Sequence, residues 1–260
     1  MHVVALLGLV LCLCGGCRGE RRTMVVPELQ WYLETTDTGA VLSLRAGAQS
    51  QAEQQALRLL RRLHLQVRSP EGDVLEELEI VPALSGMAQR EGGASLLLSE
   101  RIVLRTPPER IPAQVRLQYR YETDSGSFQR ELLLQRVHRS GALLLVPSVE
   151  VSDSGVTFRL RVRRIQPVER EYFPSSERLR VELFRGVKRV WSSAEGVAFL
   201  QVIGVVEPVE PGQEQEYSLR WDGRIAAREE LPAGLYRLRL SLPARPQEYA
   251  VELPFRWRMP

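Results

Sequence analysis

Apolar and polar residues alternate with period two through most of the chain from Glu28 onward. Successive side chains on a strand point to opposite faces, so this alternation predicts half-buried β-strands. The clearest case is Ala113–Tyr121: Val115, Leu117, Tyr119 and Tyr121 share one face, and Gln114, Arg116, Gln118 and Arg120 the other. Asp124-Ser125-Gly126 predicts a turn into Phe128–Arg136, completing a hairpin. Leu63–Arg68 and Val74–Val81 flank Pro70-Glu71-Gly72-Asp73 in the same way, and Ala40–Arg45 alternates over a shorter stretch. In the second half, Val146–Val151 and Val156–Arg164 surround Ser152-Asp153-Ser154-Gly155, while Leu179–Phe184 and Val187–Trp191 surround Arg185-Gly186. Further strands fit Phe199–Val205, Glu216–Trp221, Leu235–Leu242 and Tyr249–Trp257. One stretch departs from the pattern. Within Gln49–Arg62 no Gly or Pro occurs, and Ala52, Ala56, Leu59, Leu60 and Leu63 recur at helical spacing, which predicts a short helix crossing between strands.

Each half supplies about seven or eight short strands with turn signals roughly every 8–12 residues, as a β-sandwich requires. The expectation is an all-β protein of two tandem immunoglobulin-like β-sandwich domains, residues 28–136 and 146–260. The linker is placed at 137–145, where His138-Arg139-Ser140-Gly141 interrupts the run. No internal repeat relates the halves.

The first residues differ from all that follow. Val3 to Leu13 are uniformly apolar, Gly15 and Gly16 lead into Cys17, and the charged stretch Arg18-Gly19-Glu20-Arg21-Arg22 comes next. An apolar run this short suits the core of an export signal, because spanning a bilayer takes about 20 residues. Small residues directly before a cysteine resemble the bacterial lipobox, although Cys14 stands where leucine is usual and Met1-His2 lacks the customary basic residue. That resemblance implies a signal peptide at 1–16, lipidation of Cys17, and a tether at 17–27. An ordinary signal peptide cut near Gly16 is the alternative. Stable anchoring takes more than one hydrocarbon tail, which the implied lipid would supply. Ten extended residues after Cys17 would reach roughly 30 Å. The implied location is the cell envelope, outside the cytoplasm, with Arg18 favouring an outer membrane where one exists.

Composition narrows the chemistry. All three cysteines, Cys12, Cys14 and Cys17, lie in or at the end of the signal, so residues 18–260 offer no disulfide, cysteine nucleophile or thiolate metal site. A net charge of +3 is too small to imply nucleic acid as a partner. The histidines, His2, His64 and His138, match no metal-ligand spacing, and no Gly-x-Ser-x-Gly or phosphate-cradling loop occurs. Glu76-Glu77 and Glu229-Glu230 are adjacent on strands and point to opposite faces, which rules them out as acid–base pairs. The expectation is a non-enzyme without metal or cofactor. Arginine ladders (Arg159, Arg161 and Arg163; Arg237 and Arg239; Arg178 and Arg180) read as solvated strand faces beside acids such as Glu171 and Glu182, or else as a basic surface toward anionic headgroups or an acidic partner. Trp31, Trp191, Trp221 and Trp257 read as core, or as a sugar-stacking platform. The stiff acidic loop Glu207–Gly212 reads as surface.

Six elements between Val156 and Leu242 carry a more specific likeness: Phe173-Pro174-Ser175-Ser176, Val190-Trp191-Ser192, Phe199-Leu200-Gln201, Glu210-Pro211-Gly212, Trp221-Asp222-Gly223 and Leu231-Pro232-Ala233-Gly234-Leu235-Tyr236. Their order and spacing resemble the BsuPI-type intracellular proteinase inhibitor domain. The resemblance implies an immunoglobulin-like sandwich in which Phe173, Trp191, Phe199, Pro211, Gly212, Trp221, Gly223, Gly234 and Tyr236 specify the fold rather than a chemistry. The chain departs from that family at Arg163–Val168, where a polar turn with asparagine is usual. Three functions follow as expectations: a tethered protein-binding or scaffold module of the envelope, a surface serine-protease inhibitor, and a glycan-binding module.

Overall fold

The computed structural model describes residues 29–258 except 49, 59, 83, 91–92, 124–125, 153–154 and 227–228. Cys17 and the stretch read as signal and tether lie outside the described residues, as do the turn residues 124–125 and 153–154. The chain is almost entirely β. The strands are β1 (Gln30–Thr35), β2 (Ala40–Ala48), β3 (Arg62–Arg68), β4 (Val74–Ile80), β5 (Leu84–Arg90), β6 (Gly93–Leu104), β7 (Gln114–Thr123), β8 (Gly126–Ser140), β9 (Leu143–Ser152), β10 (Gly155–Arg164), β11 (Arg180–Arg185), β12 (Lys188–Ser192), β13 (Glu214–Trp221), β14 (Arg224–Ala226), β15 (Glu229–Glu230), β16 (Gly234–Leu242) and β17 (Tyr249–Trp257). Among the described residues there is a single helix, α1 (Gln51–Arg58), which follows β2, and one 3-10 turn, Pro108–Arg110.

The helix begins where its cap allows. Ser50 Oγ accepts from the Glu53 amide at 3.2 Å and Glu53 Oε2 accepts from the Ser50 amide at 3.0 Å, a reciprocal capping box. Helical spacing suggested a longer element, but α1 ends at Arg58 and β3 opens at Arg62, so Leu60 and Leu63 enter the core from outside the helix.

Strand order in the large sheet is β13-β10-β9-β8-β1-β2-β6-β5, with β7, β3 and β4 branching from the first part of β8. A second sheet has the order β12-β11-β16-β17. Inward side chains form two separate clusters. One gathers Leu33, Leu42, Leu44, Leu63, Leu65, Val115, Leu117 and Tyr121 from the first half. The other gathers Val156, Phe158, Leu160, Val162, Val181, Leu183, Leu238, Leu240 and Val251 from the second. In both, period-two alternation delivers every other side chain inward, and full burial of each large aliphatic or aromatic one contributes about 1.5–3 kcal/mol.

Two expectations are corrected. Residues 137–145 are not a linker: Val137–Ser140 finish β8, Gly141 and Ala142 turn the chain, and Leu143–Leu145 open β9. Gly141 adopts φ +50°, the left-handed geometry that this two-residue turn needs. β8 therefore serves both halves, pairing antiparallel with β7 over residues 126–135, parallel with β1 over 136–138, and antiparallel with β9 over 138–140. Phe199–Val205 is likewise not a strand. Its apolar residues fall on both parities, so no register could bury them on one side, and only an isolated pairing of Gly204 with Phe173 remains.

Candidate functional site

Two places in the fold hold chemistry that packing alone does not require. The first is the long connection from Ser193 to Gln213, between β12 and β13. Residues 196–206 contain no charged side chain, and Val197, Leu200, Val202, Ile203 and Val205 are exposed by 52, 72, 51, 79 and 63%. Scattered apolar exposure is ordinary, but five aliphatic side chains within nine residues form a concentrated patch.

The backbone beneath that patch is fastened. Leu200 O accepts from the Ser176 amide at 2.9 Å, and the Leu200 amide donates to Ser176 Oγ at 3.0 Å. Gly204 and Phe173 exchange both main-chain hydrogen bonds, at 2.8 and 3.0 Å. A Cβ on Gly204 would lie 2.2 Å from Arg178 Nη2, so a larger residue there would require the Arg178 guanidinium to move. Arg178 in turn lies over the Phe173 ring at 4.7 Å and donates from Nη1 to Ser175 O at 2.5 Å.

The base of the loop is held by Arg164, itself 2% exposed. Its Nε donates to Pro208 O at 2.7 Å, and its Nη2 donates to Val206 O at 3.3 Å and to Glu171 Oε2 at 2.6 Å. The other Glu171 oxygen accepts from the Tyr249 hydroxyl. Burial, reinforced by this carboxylate, pushes the Tyr249 phenol up to about 12. Tyr217 Oη donates to Glu207 O at 2.7 Å, and burial raises its phenol to about 12 as well.

The second place is the seam between the two cores, where β8 carries Arg136, His138 and Ser140 inward, at 1, 2 and 4% exposure. Arg136 Nε donates to Thr35 Oγ1 at 2.9 Å, while its Nη1 donates to Ile111 O at 2.6 Å and Glu252 O at 2.9 Å. The first two acceptors belong to the first half and the third to β17. Burial pulls the Arg136 guanidinium down to about 10, which leaves it charged at neutral pH. His138 sits between Thr35 Oγ1 at 3.0 Å from Nδ1 and Asp37 Oδ1 at 3.2 Å from Nε2.

The residues singled out by resemblance mostly specify packing. Phe173 is fully buried, edge-on to Tyr217 at 6.3 Å. Trp191 is half-buried and lies 4.7 Å from Trp221, whose Nε1 donates to Arg224 O at 2.7 Å. Gly223 has φ +87°, and a Cβ there would come within 2.9 Å of Trp257 Cζ2. Tyr236 is buried, its hydroxyl donating to Pro232 O at 2.6 Å, and a Cβ on Gly234 would meet its ring at 3.6 Å. Phe199 is half-buried, while Pro211 and Gly212 are exposed in the acidic turn. There Gly212, at φ +88°, donates its amide to Arg164 O.

Three of the four tryptophans, Trp31, Trp221 and Trp257, are 5–6% exposed and face a core. Most of the arginine ladder is paired: Arg159 with Glu150, Arg180 with Glu177, Arg237 with Glu252, and Arg239 with Glu182 and Glu248. Glu76 is buried, its Oε2 accepting from the Arg105 and Thr106 amides and the Thr106 hydroxyl, whereas Glu77 is exposed and accepts from Gln66. His64 lies on the outer face of β3, 3.4 Å from Glu79. Among the described residues no group of three or more His, Cys, Asp or Glu side chains could hold a metal ion, and no helix is long and apolar enough to cross a membrane.

Alternation carried a signal for Arg136, His138 and Arg164 that composition did not. Each occupies an inward parity, after Leu132 and Leu134 on β8 and after Leu160 and Val162 on β10. A charged residue in that register must find buried partners.

No protein-family profile matches the chain, and no curated protein does. Among solved structures, dimeric latent PorU from Porphyromonas gingivalis is similar at 11% identity and a TM-score of 0.29, over 90% of this chain. This chain spans 20% of that one. The titin immunoglobulin tandem A164-A165 is similar at 13% identity and a TM-score of 0.22, over 87% of this chain and 95% of that one. Likenesses this distant bear on neither mechanism nor partner.

Proposed function

We propose that this chain is a lipid-anchored, non-catalytic protein of the cell envelope that binds a protein partner through the loop Ser193–Gln213. The observation that carries the reading is the uncharged stretch 196–206, whose aliphatic side chains stand in solvent on a backbone fastened to Phe173 and Ser176. Ordering a flexible loop costs binding energy, so a loop already held in one conformation binds at lower entropic cost. We read the frame as two immunoglobulin-like sandwiches in tandem, a reading supported by the two separate cores. Anchoring rests on the sequence preceding Cys17, and an outer-membrane location on Arg18.

The test is a photo-crosslinking amino acid placed at Leu200, at Ile203, and at Val151 as an exposed control 56% accessible on β9. In intact cells the loop positions should give one discrete adduct that the control lacks, and Leu200→Asp should abolish the adduct at Ile203. Equal or absent crosslinking at all three positions overturns the assignment.

The same loop supports a second reading, inhibition of a serine protease, in line with the resemblance to the BsuPI-type domain. A loop docking in a protease cleft must do so with little motion. With no lysine or arginine between Gly196 and Val206, such an inhibitor should act on subtilisin-like enzymes and spare trypsin-like ones. Stoichiometric loss of subtilisin activity with the chain left intact would favour this reading over a scaffold. Its absence at micromolar protein removes it.

A further inference from the structure

Three extended segments lie side by side in the second half. Tyr172 and Arg245 exchange both main-chain hydrogen bonds, at 3.0 and 2.8 Å, and on the next line Phe173 and Gly204 do the same. In an antiparallel ladder the N–H and C=O of one residue face one neighbour, and those of the next residue face the other. Gly204 turns both groups toward Phe173, so Ile203 and Val205 turn theirs to the opposite side. Among the described residues none of these four groups has a hydrogen-bond partner. The Ile203 and Val205 side chains are 79 and 63% exposed. The Cβ direction of Gly204 leads to Arg178, so that guanidinium lies on the face opposite to Ile203 and Val205.

Open strand edges are ordinarily protected by charge or proline. The main sheet edges of the second half follow that rule: β12 carries Lys188 and Arg189, β13 carries Glu214, Glu216 and Arg220, and β17 carries Glu252, Pro254 and Arg256. Residues 196–206 carry neither. The free groups of Ile203 and Val205, two donors and two acceptors at a two-residue spacing, match the main chain of one extended peptide. Their side chains share a face, so residues i and i+2 of an incoming strand would pair with them across it. Charge sets the remainder. Glu195, Glu207 and Glu210 flank the uncharged stretch, are exposed, and form no ion pair among the described residues. These carboxylates repel a second copy of the same loop and attract a strand with basic ends.

We propose that the partner of this loop is an extended strand, aliphatic at two positions spaced i and i+2 and basic at its ends, which adds to the free edge of Ile203–Val205 through main-chain hydrogen bonds. The proposal rests on Ser193–Gln213 being the binding loop and specifies how that loop is filled. The Ile203 and Val205 amides donate to two carbonyls of the incoming strand, and two of its amides donate back. The loop need not move to receive it, because Phe173 and Ser176 already hold the backbone in place.

The test is fluorescence anisotropy of a labelled heptapeptide, two arginines on each side of Val-Thr-Val, titrated with the full chain in non-ionic detergent. Saturable binding is expected. N-methylation of both valines removes the two donors facing the loop and should weaken binding by about thirtyfold, the usual net effect of two hydrogen bonds. Methylation of the threonine, whose amide faces away, should leave binding unchanged. Replacing the four arginines with glutamates should weaken it by at least about tenfold. Ile203→Lys should abolish binding and Val151→Lys should not. No saturable binding, equal loss on methylating threonine, or equal affinity for the acidic peptide overturns the added strand. So does a chain that sediments as a dimer and becomes monomeric with Ile203→Lys, since the edge then belongs to a second copy. Should Ile203→Lys fail to fold, the methylated peptides on the unaltered chain decide alone. Photo-crosslinking at Leu200 and Ile203 is scored separately. A discrete adduct without peptide binding refutes the strand and leaves the loop as the binding site, whereas the absence of both removes the loop as well.

Discussion

Arg164 and Glu171 form an ion pair at 2.6 Å with side chains 2 and 5% exposed. Replacing Arg164 with Met keeps most of the volume but leaves the Glu171 carboxylate buried with only the Tyr249 hydroxyl as donor. Breaking a buried pair in this way costs about 3–5 kcal/mol, because the surviving charge has neither water nor partner. The loop carbonyls of Pro208 and Val206 lose their donor as well, at about 1 kcal/mol each on the usual net scale. Glu171→Gln removes the opposite charge while preserving an acceptor for Tyr249. In the double variant no unpaired charge remains, so its cost should fall below the sum of the single costs by about 2 kcal/mol. Urea unfolding followed by tryptophan fluorescence reads this directly, since Trp191, Trp221 and Trp257 all pack in the same core. An Arg164→Met cost under about 1 kcal/mol, or costs that simply add, would refute the view that this pair holds the base of the loop.

Three further outcomes follow from the geometry. The folded value of His138, about 4, lies below its unfolded value, so the unfolded chain binds that proton more readily. Its contribution is complete above about pH 6.5 and is lost as pH falls toward 4, at most about 3 kcal/mol, and a urea series between pH 7.5 and 4.5 should lose this slope in His138→Gln. Gly155→Ala should be severe, because φ is +127° and the new Cβ would sit 2.3 Å from Trp221 O. Gly212→Ala has open space around it and pays only for its φ of +88°, about 1 kcal/mol by the same unfolding assay.

Strands were the legible part of the sequence. Val115, Leu117, Tyr119 and Tyr121 turn inward as their spacing requires, and β7 and β8 form the hairpin expected on either side of residues 124–126. The break at 137–145 was misread because His138, Arg139 and Ser140 look like loop residues when only composition is weighed. In the fold, His138 and Ser140 keep the inward parity of β8 and find their partners on strands roughly a hundred residues away in sequence, which no local pattern reveals. Phe199–Val205 failed for the opposite reason. Its apolar content suggested a strand, but Val202 and Ile203 are consecutive and both exposed, so the segment lacks the two-sidedness that pairing requires. The exposed loop was thus present in the sequence as hydrophobicity without period, and only the fastening by Ser176 and Phe173 distinguishes it from core.

The parallel pairing of β1 with β8 also sets how the molecule answers a pull. A force entering at the N-terminal end of β1 and leaving through the second half, which continues from the C-terminal end of β8, draws these two strands in opposite directions along their axes. Their hydrogen bonds are then strained together in shear instead of being peeled apart in succession. The buried Arg136 and Thr35 side chains lie across the same plane of sliding. A chain tethered at one end and gripped at its distal loop would therefore meet tension where its interstrand contacts resist it collectively.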